Sequence, residues 1–207
     1  MPFRSGISAL ILAAGRSQRM GSFKPLLTLG DATVIENTVA GALTCAERAV
    51  VVTGYRGDEV EAVLRDRFGR AVQCVTNPDY AVTDMLRSVQ LGAAALPACE
   101  AFFLLPGDMP AVAQDTFRAL LEERRQGRPL LVFPAWNGCP KHPPLVDARL
   151  IPEILSFRGE NGLRGLWHVH ETDSVFVPVS DPGVTLDLDT PEDYEICKKM
   201  LEDKREV

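Results

Sequence analysis

Residues 7–12 (ISALIL) form a short apolar run that breaks off into small and basic residues: Ala13, Ala14, Gly15, Arg16, Ser17, Arg19, Gly21 and Lys24. A run of this length, bounded this way, suits one buried strand. What can follow such a strand is limited by the backbone. Glycine lets the chain turn its N–H groups toward one anion at close range, and Lys and Arg add formal charge. A polyphosphate requires that combination. Residues 1–30 carry four positive charges and no negative ones, while the whole chain stands at −6. The acid excess therefore lies in residues 31–207. A solvated basic loop would look much the same in isolation. Its position directly after the first strand, where open α/β sheets place their ligands, favours a site.

The spacing excludes two widespread phosphate loops. Lys24 follows Phe23 and precedes Pro25, so GxxxxGK[ST] is absent, and Gly15 and Gly21 lie too far apart for GxGxxG. At 207 residues the chain suits one α/β domain, expected to span residues 1–207 without linker, repeat or low-complexity segment. Its acidic balance argues against nucleic acid or an anionic membrane as partner. Cys45, Cys74, Cys99, Cys139 and Cys197 are dispersed and odd in number, which suits a reducing compartment and gives no zinc or disulfide framework. The apolar run after Arg4 is short and is followed at once by Arg16, Arg19 and Lys24, unlike a signal peptide. Nothing approaches the roughly 20 apolar residues of a membrane helix. A soluble, cytoplasmic protein is expected.

Short apolar runs alternate with longer helical patterns along the rest of the chain, the mark of a mostly parallel sheet covered by helices. Strands are expected at 48–53, 71–75, 101–105, 130–134, 175–179 and, shorter, 184–186. Helices are expected at 34–43, 58–68, 85–96, 116–125, 148–157, 160–168 and 191–200, the last with Thr190 as cap and Pro191 in first position. Residues 136–144 (WNGCPKHPP) are rich in turn formers and read as a loop.

Asp108 stands in a Gly107-Asp108-Met109-Pro110 turn after a buried strand. A carboxylate there suits Mg²⁺, a hard cation that prefers oxygen ligands and nucleotide phosphates, although the turn alone would explain the residue equally well. In Asp187-Leu188-Asp189-Thr190-Pro191-Glu192-Asp193 the later acids suit a helix start. Asp187 and Asp189 remain, on one face of an extended segment, where they repel unless a cation intervenes. Thr53 and Gly54 could touch a nucleobase, though Gly54 could simply end a strand. His168 and His170 lack a third ligand nearby and suit a surface or helix-end role, and Trp136 and Trp167 suit packing.

LAAGxSxRMGxxKxLL, read over residues 12–27, resembles the signature loop of the MobA-like nucleotidyltransferases, and most resembles their molybdenum-cofactor cytidylyltransferases. PGDMP is similar to the family's metal-binding turn and DLDTPEDY to its C-terminal acidic motif. Asn77-Pro78-Asp79-Tyr80 with Ser88-Val89-Gln90, the Gly138 to Pro144 segment and Gly162-Leu163-Arg164 resemble further family segments, in order. Asp84, Arg87 and Lys141 depart from the pattern, in segments expected to face the acceptor. The resemblance implies a Rossmann-like, three-layer α/β/α fold of the nucleotide-diphospho-sugar transferase type. It implies transfer of CMP from CTP, or a nucleotide from another NTP, to a phosphorylated acceptor, with molybdopterin expected and Mg²⁺ as cofactor.

By residue, the resemblance implies catalytic roles for Arg19, Lys24 and Asp108. It implies nucleotide contacts from Leu12, Ala13, Ala14, Gly15, Arg16, Ser17, Thr53, Gly54, Asn77, Ser88 and Gly107 as well. Metal ligands are expected among Asp108, Asp187 and Asp189, and acceptor contacts from Lys141, His142 and Pro143. Another acceptor such as a sugar phosphate stays open, as does a non-catalytic role serving a molybdenum hydroxylase. The absence of a Ser-His or Cys-His arrangement suits this chemistry. A phosphate monoester, with its second pKa near 6, is already an oxyanion at neutral pH and needs no general base.

Overall fold

The computed structural model of the protein describes residues 6–15 and 23–203. Arg16, Ser17 and Arg19 lie outside the described residues. Ten strands occur among the described residues: β1 (Ile7–Ala13), β2 (Thr28–Leu29), β3 (Ala32–Thr33), β4 (Arg48–Thr53), β5 (Val72–Thr76), β6 (Ala101–Pro106), β7 (Leu131–Trp136), β8 (Cys139–Pro140), β9 (Leu145–Asp147) and β10 (Ser174–Pro178). The α-helices are α1 (Val34–Leu43), α2 (Gly57–Phe68), α3 (Met85–Ala95), α4 (Gln114–Gly127), α5 (Ile151–Ser156), α6 (Gly162–Val169) and α7 (Pro191–Asp203).

One sheet runs in the order β10-β7-β9-β6-β1-β4-β5, with β8 paired to β7. The pairs β6–β1, β1–β4, β4–β5 and β7–β10 are parallel. β9 runs antiparallel between β6 and β7. The sequence order thus reverses direction around β1, and the carboxyl ends of β1, β4 and β6 open onto one edge. Open α/β sheets carry their ligands at such a place.

β1 is covered on both faces, which is why its apolar run is continuous. Ile7, Ala9, Ile11 and Ala13 point into one cluster with Ile35, Val39, Val51, Leu64, Phe103 and Phe117, beneath α1, α2 and α4. Leu10 points into the opposite cluster with Val50, Val52, Val89, Phe102, Leu104 and Leu166, beneath α3, α5 and α6. A third, smaller cluster joins Leu29, Val34, Ala111, Leu186, Leu188 and Cys197. It fastens α7 and the segment before it to the rest of the chain.

The helix starts follow local chemistry. Thr33 and Glu36 form a reciprocal capping box on α1. Asp84 caps α3, its carboxylate accepting from Arg87 N–H at 3.2 Å. Thr190 and Asp193 exchange the same kind of bonds at the start of α7. Two expectations need correction. Residues 184–186 are not a strand but belong to a 3-10 turn, Pro182–Thr185, and its exit, because Pro182 and Gly183 favour a turn over extended pairing. The 136–144 loop contains β8. The strand that follows it, β9, enters the sheet centre, and its three residues were too few to show a period. No helix among the described residues is long and apolar enough to cross a membrane.

Candidate active site

At the carboxyl edge of β1 and β6 lies a cleft of about 210 Å³ lined by Leu12, Ala13, Gly15, Lys24, Pro25, Gly107 and Asp108. Its floor is set by how closely two backbones approach. Gly107 N–H donates to Leu12 C=O at 2.8 Å, and Thr38 Oγ1 donates to Gly107 C=O at 3.1 Å. A Cβ at Gly107 would sit 3.0 Å from Ile35, 3.1 Å from Ala13 Cβ and 3.1 Å from Leu12 O. Glycine there lets the turn after β6 pack against the end of β1, which carries Asp108 to the loop. At Gly15 an added Cβ would meet no atom of the described residues within 4 Å.

Lys24 begins a 3-10 turn, Lys24–Leu26, and is buried, with its side chain 8% exposed. A buried ammonium is costly unless paired. Its Nζ donates to Asp189 Oδ1 at 2.5 Å and to Asp108 Oδ2 at 3.4 Å. Residues from the first, middle and last parts of the chain therefore meet on one cation. Burial pushes the Asp108 carboxyl above the usual range; Lys24 opposes the shift and Asp187 adds to it. Asp187 thus reaches this site by charge, while Asp189 contacts Lys24 directly. Between them Leu188 is fully buried in the third cluster, so the neighbouring carboxylates are turned away from that cluster.

His142 is half-buried nearby, with Nδ1 3.4 Å from Leu104 C=O. Burial holds its imidazole below the usual range, against upward pulls from that carbonyl and from Asp187 and Asp108. Lys141 is half-buried beside it and Pro143 is buried. These three residues stand at the β6–β9 side of the cleft.

Other expected nucleotide contacts occupy structural positions. Thr53 is 1% exposed, with its hydroxyl beneath Gly57 at the start of α2. Gly54 is required by packing, since a Cβ there would lie 2.7 Å from both Ala14 O and Tyr80 Cβ. Asn77 is buried, and its amide donates to Ser88 Oγ and Thr83 Oγ1, each at 3.1 Å. That pair locks the turn after β5 onto α3. Ala14 is buried and accepts from Tyr55 N–H at 3.3 Å. His168 and His170 each lie beside a carboxylate, Glu171 at 3.3 Å and Glu153 at 2.8 Å, and Trp167 packs edge-on against Phe133.

Two features escaped the sequence. One is Thr38, a helix residue that holds the Gly107 carbonyl. The other is Asp181, buried, whose carboxylate accepts from Ala113 N–H, Thr116 Oγ1 and Gly183 N–H. Asp-Pro-Gly at 181–183 signalled a turn, but its partners 65 and 68 residues away left no local trace.

Among the described residues no group of three or more His, Cys, Asp or Glu side chains is gathered tightly enough to hold a metal alone. Asp108 and Asp189 instead share a bound cationic side chain, which stands where a cation is favoured. Two carboxylates completed by substrate phosphates are what Mg²⁺ accepts, in preference to an all-protein cage. The residues fit such an ion.

A mostly parallel sheet, a small-residue loop after its first strand and a carboxylate after its central strand fit the nucleotidyltransferase class. A solved nucleotidyl transferase from Methanothermobacter shares the fold, with a TM-score of 0.78 and 28% identity over 95% of this chain and 98% of that one. The family model for the MobA-like NTP transferase domain matches residues 9–175, and the chain belongs to that family. The molybdenum cofactor cytidylyltransferase of Escherichia coli (strain K12) is 34% identical over 94% of this chain and 97% of its own length. A probable molybdenum cofactor guanylyltransferase of Natranaerobius thermophilus is 24% identical over 94% and 96%. The protein is a nucleotidyltransferase.

Proposed function

We propose that the protein, acting as a single domain, transfers CMP from CTP to the terminal phosphate of molybdopterin and releases pyrophosphate. The observation that carries this reading is the Lys24 ammonium seated between Asp108 and Asp189, beside the small-residue loop. A nucleotidyl transfer needs charge neutralisation and alignment more than a base. An oxygen of the acceptor phosphate attacks the α-phosphorus. The bond from that phosphorus to the bridging oxygen breaks, and pyrophosphate leaves with the electron pair. Lys24, with Arg19 and the N–H groups of residues 12–17, neutralises the β- and γ-phosphates and the charge that builds on pyrophosphate. Asp108 and Asp189 would hold Mg²⁺, with Asp187 supporting them. A bound Mg²⁺ supplies Lewis-acid polarisation of the phosphoryl oxygens. Lys141, His142 and Pro143 line the acceptor side, where burial favours the neutral form of the His142 imidazole.

Ala13-Ala14 is the sequence feature that would favour cytosine by crowding a purine; of the two, Ala13 lines the cleft, while Ala14 is buried and accepts from Tyr55 N–H. The 34% identity to a cytidylyltransferase, against 24% to a guanylyltransferase, supports the same choice. One methyl is worth only about 1–3 kcal/mol, so the preference is large without being absolute. The test is pyrophosphate release with each of four NTPs, with and without molybdopterin. Release with CTP that depends on molybdopterin is expected. Equal release with CTP and GTP would remove the base assignment, and release with a sugar phosphate instead would change the acceptor.

A further inference from the structure

We infer that Asp181 is a positioning residue for the metal-binding carboxylates: it braces the loop that carries Asp108 to the segment that carries Asp187 and Asp189. This inference rests on the proposed metal site. Asp181 is 9% exposed and lies in neither acidic motif. Its Oδ2 accepts from Ala113 N–H and from Thr116 Oγ1, both at 2.7 Å, and its Oδ1 accepts from Gly183 N–H at 3.0 Å.

Two of those donors belong to the start of α4, which Asp108 precedes by one short turn. Ala113 occupies the cap position of α4 and has no side-chain acceptor to give it. Asp181 reaches in from elsewhere in the chain to accept from the N–H of Ala113 itself and from the Thr116 hydroxyl, and sets its carboxylate at the N-terminal end of α4, where the helix dipole favours an acid. The third donor holds the 181–183 turn in shape.

Contact between the two segments is close as well as polar. A Cβ at Gly183 would lie 2.1 Å from Ala111 O and 2.9 Å from Val112 N, so the turn rests directly on the backbone of residues 111–112. From there the chain has little freedom. Val184 enters the core beneath α1 and α4, and Leu186 and Leu188 pack against Ala111, Val34 and Leu29. Asp187 and Asp189 alternate with those leucines. Their offset from Asp108 is therefore set where Asp181 joins the two segments, at a point that touches neither ligand nor metal.

A carboxylate pair displaced slightly loses metal affinity before it loses fold, and groups that orient metal ligands from behind change affinity on the order of 10-fold or more. The experiment measures Mn²⁺ binding by electron paramagnetic resonance, with a non-reactive methylene analogue of CTP present and no acceptor. Melting temperatures are recorded in parallel. Asp181→Asn is expected to weaken Mn²⁺ binding by roughly 10-fold, and Thr116→Val, which removes one of the three bonds, to weaken it less. Asp147→Asn breaks a buried ion pair with Arg124 at the amino end of β6. It is expected to lower the melting temperature while leaving Mn²⁺ binding as in the wild type. Wild-type affinity in Asp181→Asn would overturn the brace, and so would equal weakening in Asp147→Asn, because the effect would then follow stability. Should Asp181→Asn not fold, Thr116→Val decides, and unchanged binding there overturns the inference. Absence of Mn²⁺ binding by the wild type would instead bring down the proposed metal site itself.

Discussion

Lys24 and Asp108 were both readable in the sequence, one from its place in a basic loop and the other from its turn. Their direct pairing was not, because nothing local links residues 84 positions apart. The pairing, and the burial of Asp108 that goes with it, have two consequences. The ammonium occupies the carboxylates that a divalent ion needs, so lysine and metal compete in the nucleotide-free protein. Lys24→Met keeps the apolar stem and removes the charge. It is expected to tighten Mn²⁺ binding without nucleotide, yet lower turnover by two orders of magnitude or more, about 3 kcal/mol, because the phosphates lose their counter-charge. Metal titration and steady-state kinetics on one preparation check both, and weaker Mn²⁺ binding would show that Lys24 assists the ion instead.

The second consequence concerns stability. Burial raises the Asp108 pKa, and a raised carboxyl contributes stability only below its unfolded value, losing it as pH rises through the folded value. The charged form of Asp108 is therefore less favoured in the empty fold than in the unfolded chain. Asp108→Asn should abolish turnover and raise the melting temperature of the ligand-free protein. A lowered melting temperature would mean that its pairing with Lys24 outweighs the burial cost.

The strands and helices divide according to how much of their environment is local. β1, β4 and β6 could be read because both faces are covered and their apolar runs are unbroken, and α1 because its period and Thr33 cap lie within it. β9 could not: what places it between β6 and β7 is pairing, together with a buried ion pair. Asp147, at its end, meets Arg124 of α4 at 2.8 Å and Arg149 at 2.8 Å. Burial pushes the Asp147 carboxyl up, but bonds from Arg149 and the charge of Arg124 outweigh it and hold it below the ordinary aspartate value. A lowered carboxyl contributes stability above its unfolded value and loses it as pH falls through the folded one. Asp147→Asn should cost about 2–3 kcal/mol at pH 7 by removing the closest charge partner of Arg124, leaving it the Glu100 carbonyl and the Glu100 carboxylate at 3.8 Å. In denaturant melts the gap from wild type should close only below about pH 4. A gap that closes near neutrality would place the important charge elsewhere.

The active site as a whole exists only in the folded chain, because Lys24, Asp108 and Asp189 come from three distant stretches and Lys24 spans 165 residues to reach Asp189. A sequence can supply the three residue types and the edge of the sheet where they belong; which cation they share is decided by packing. Here the cation is the protein's own. A divalent ion entering alone must displace a paired ammonium into a buried cleft with no anion to receive it. The proposed nucleotide, CTP, entering alone would have to draw that ammonium away and leave the two carboxylates without it. Each ligand removes the obstacle to the other, so Mg²⁺ and CTP should stabilise the fold together by more than the sum of their separate effects. Ligand at a hundredfold excess over its dissociation constant contributes about 2.7 kcal/mol, and in a chain of this size each kcal/mol moves the melting temperature by roughly 2–4 °C. The wild type with both ligands should therefore gain several degrees beyond the added single-ligand shifts. Asp189→Asn, which weakens the hold on both the ammonium and the ion, should lose that surplus while still responding to CTP. Strictly additive shifts in the wild type, or a surplus that survives in Asp189→Asn, would separate the lysine from the metal and end the argument that one cation stands in for the other.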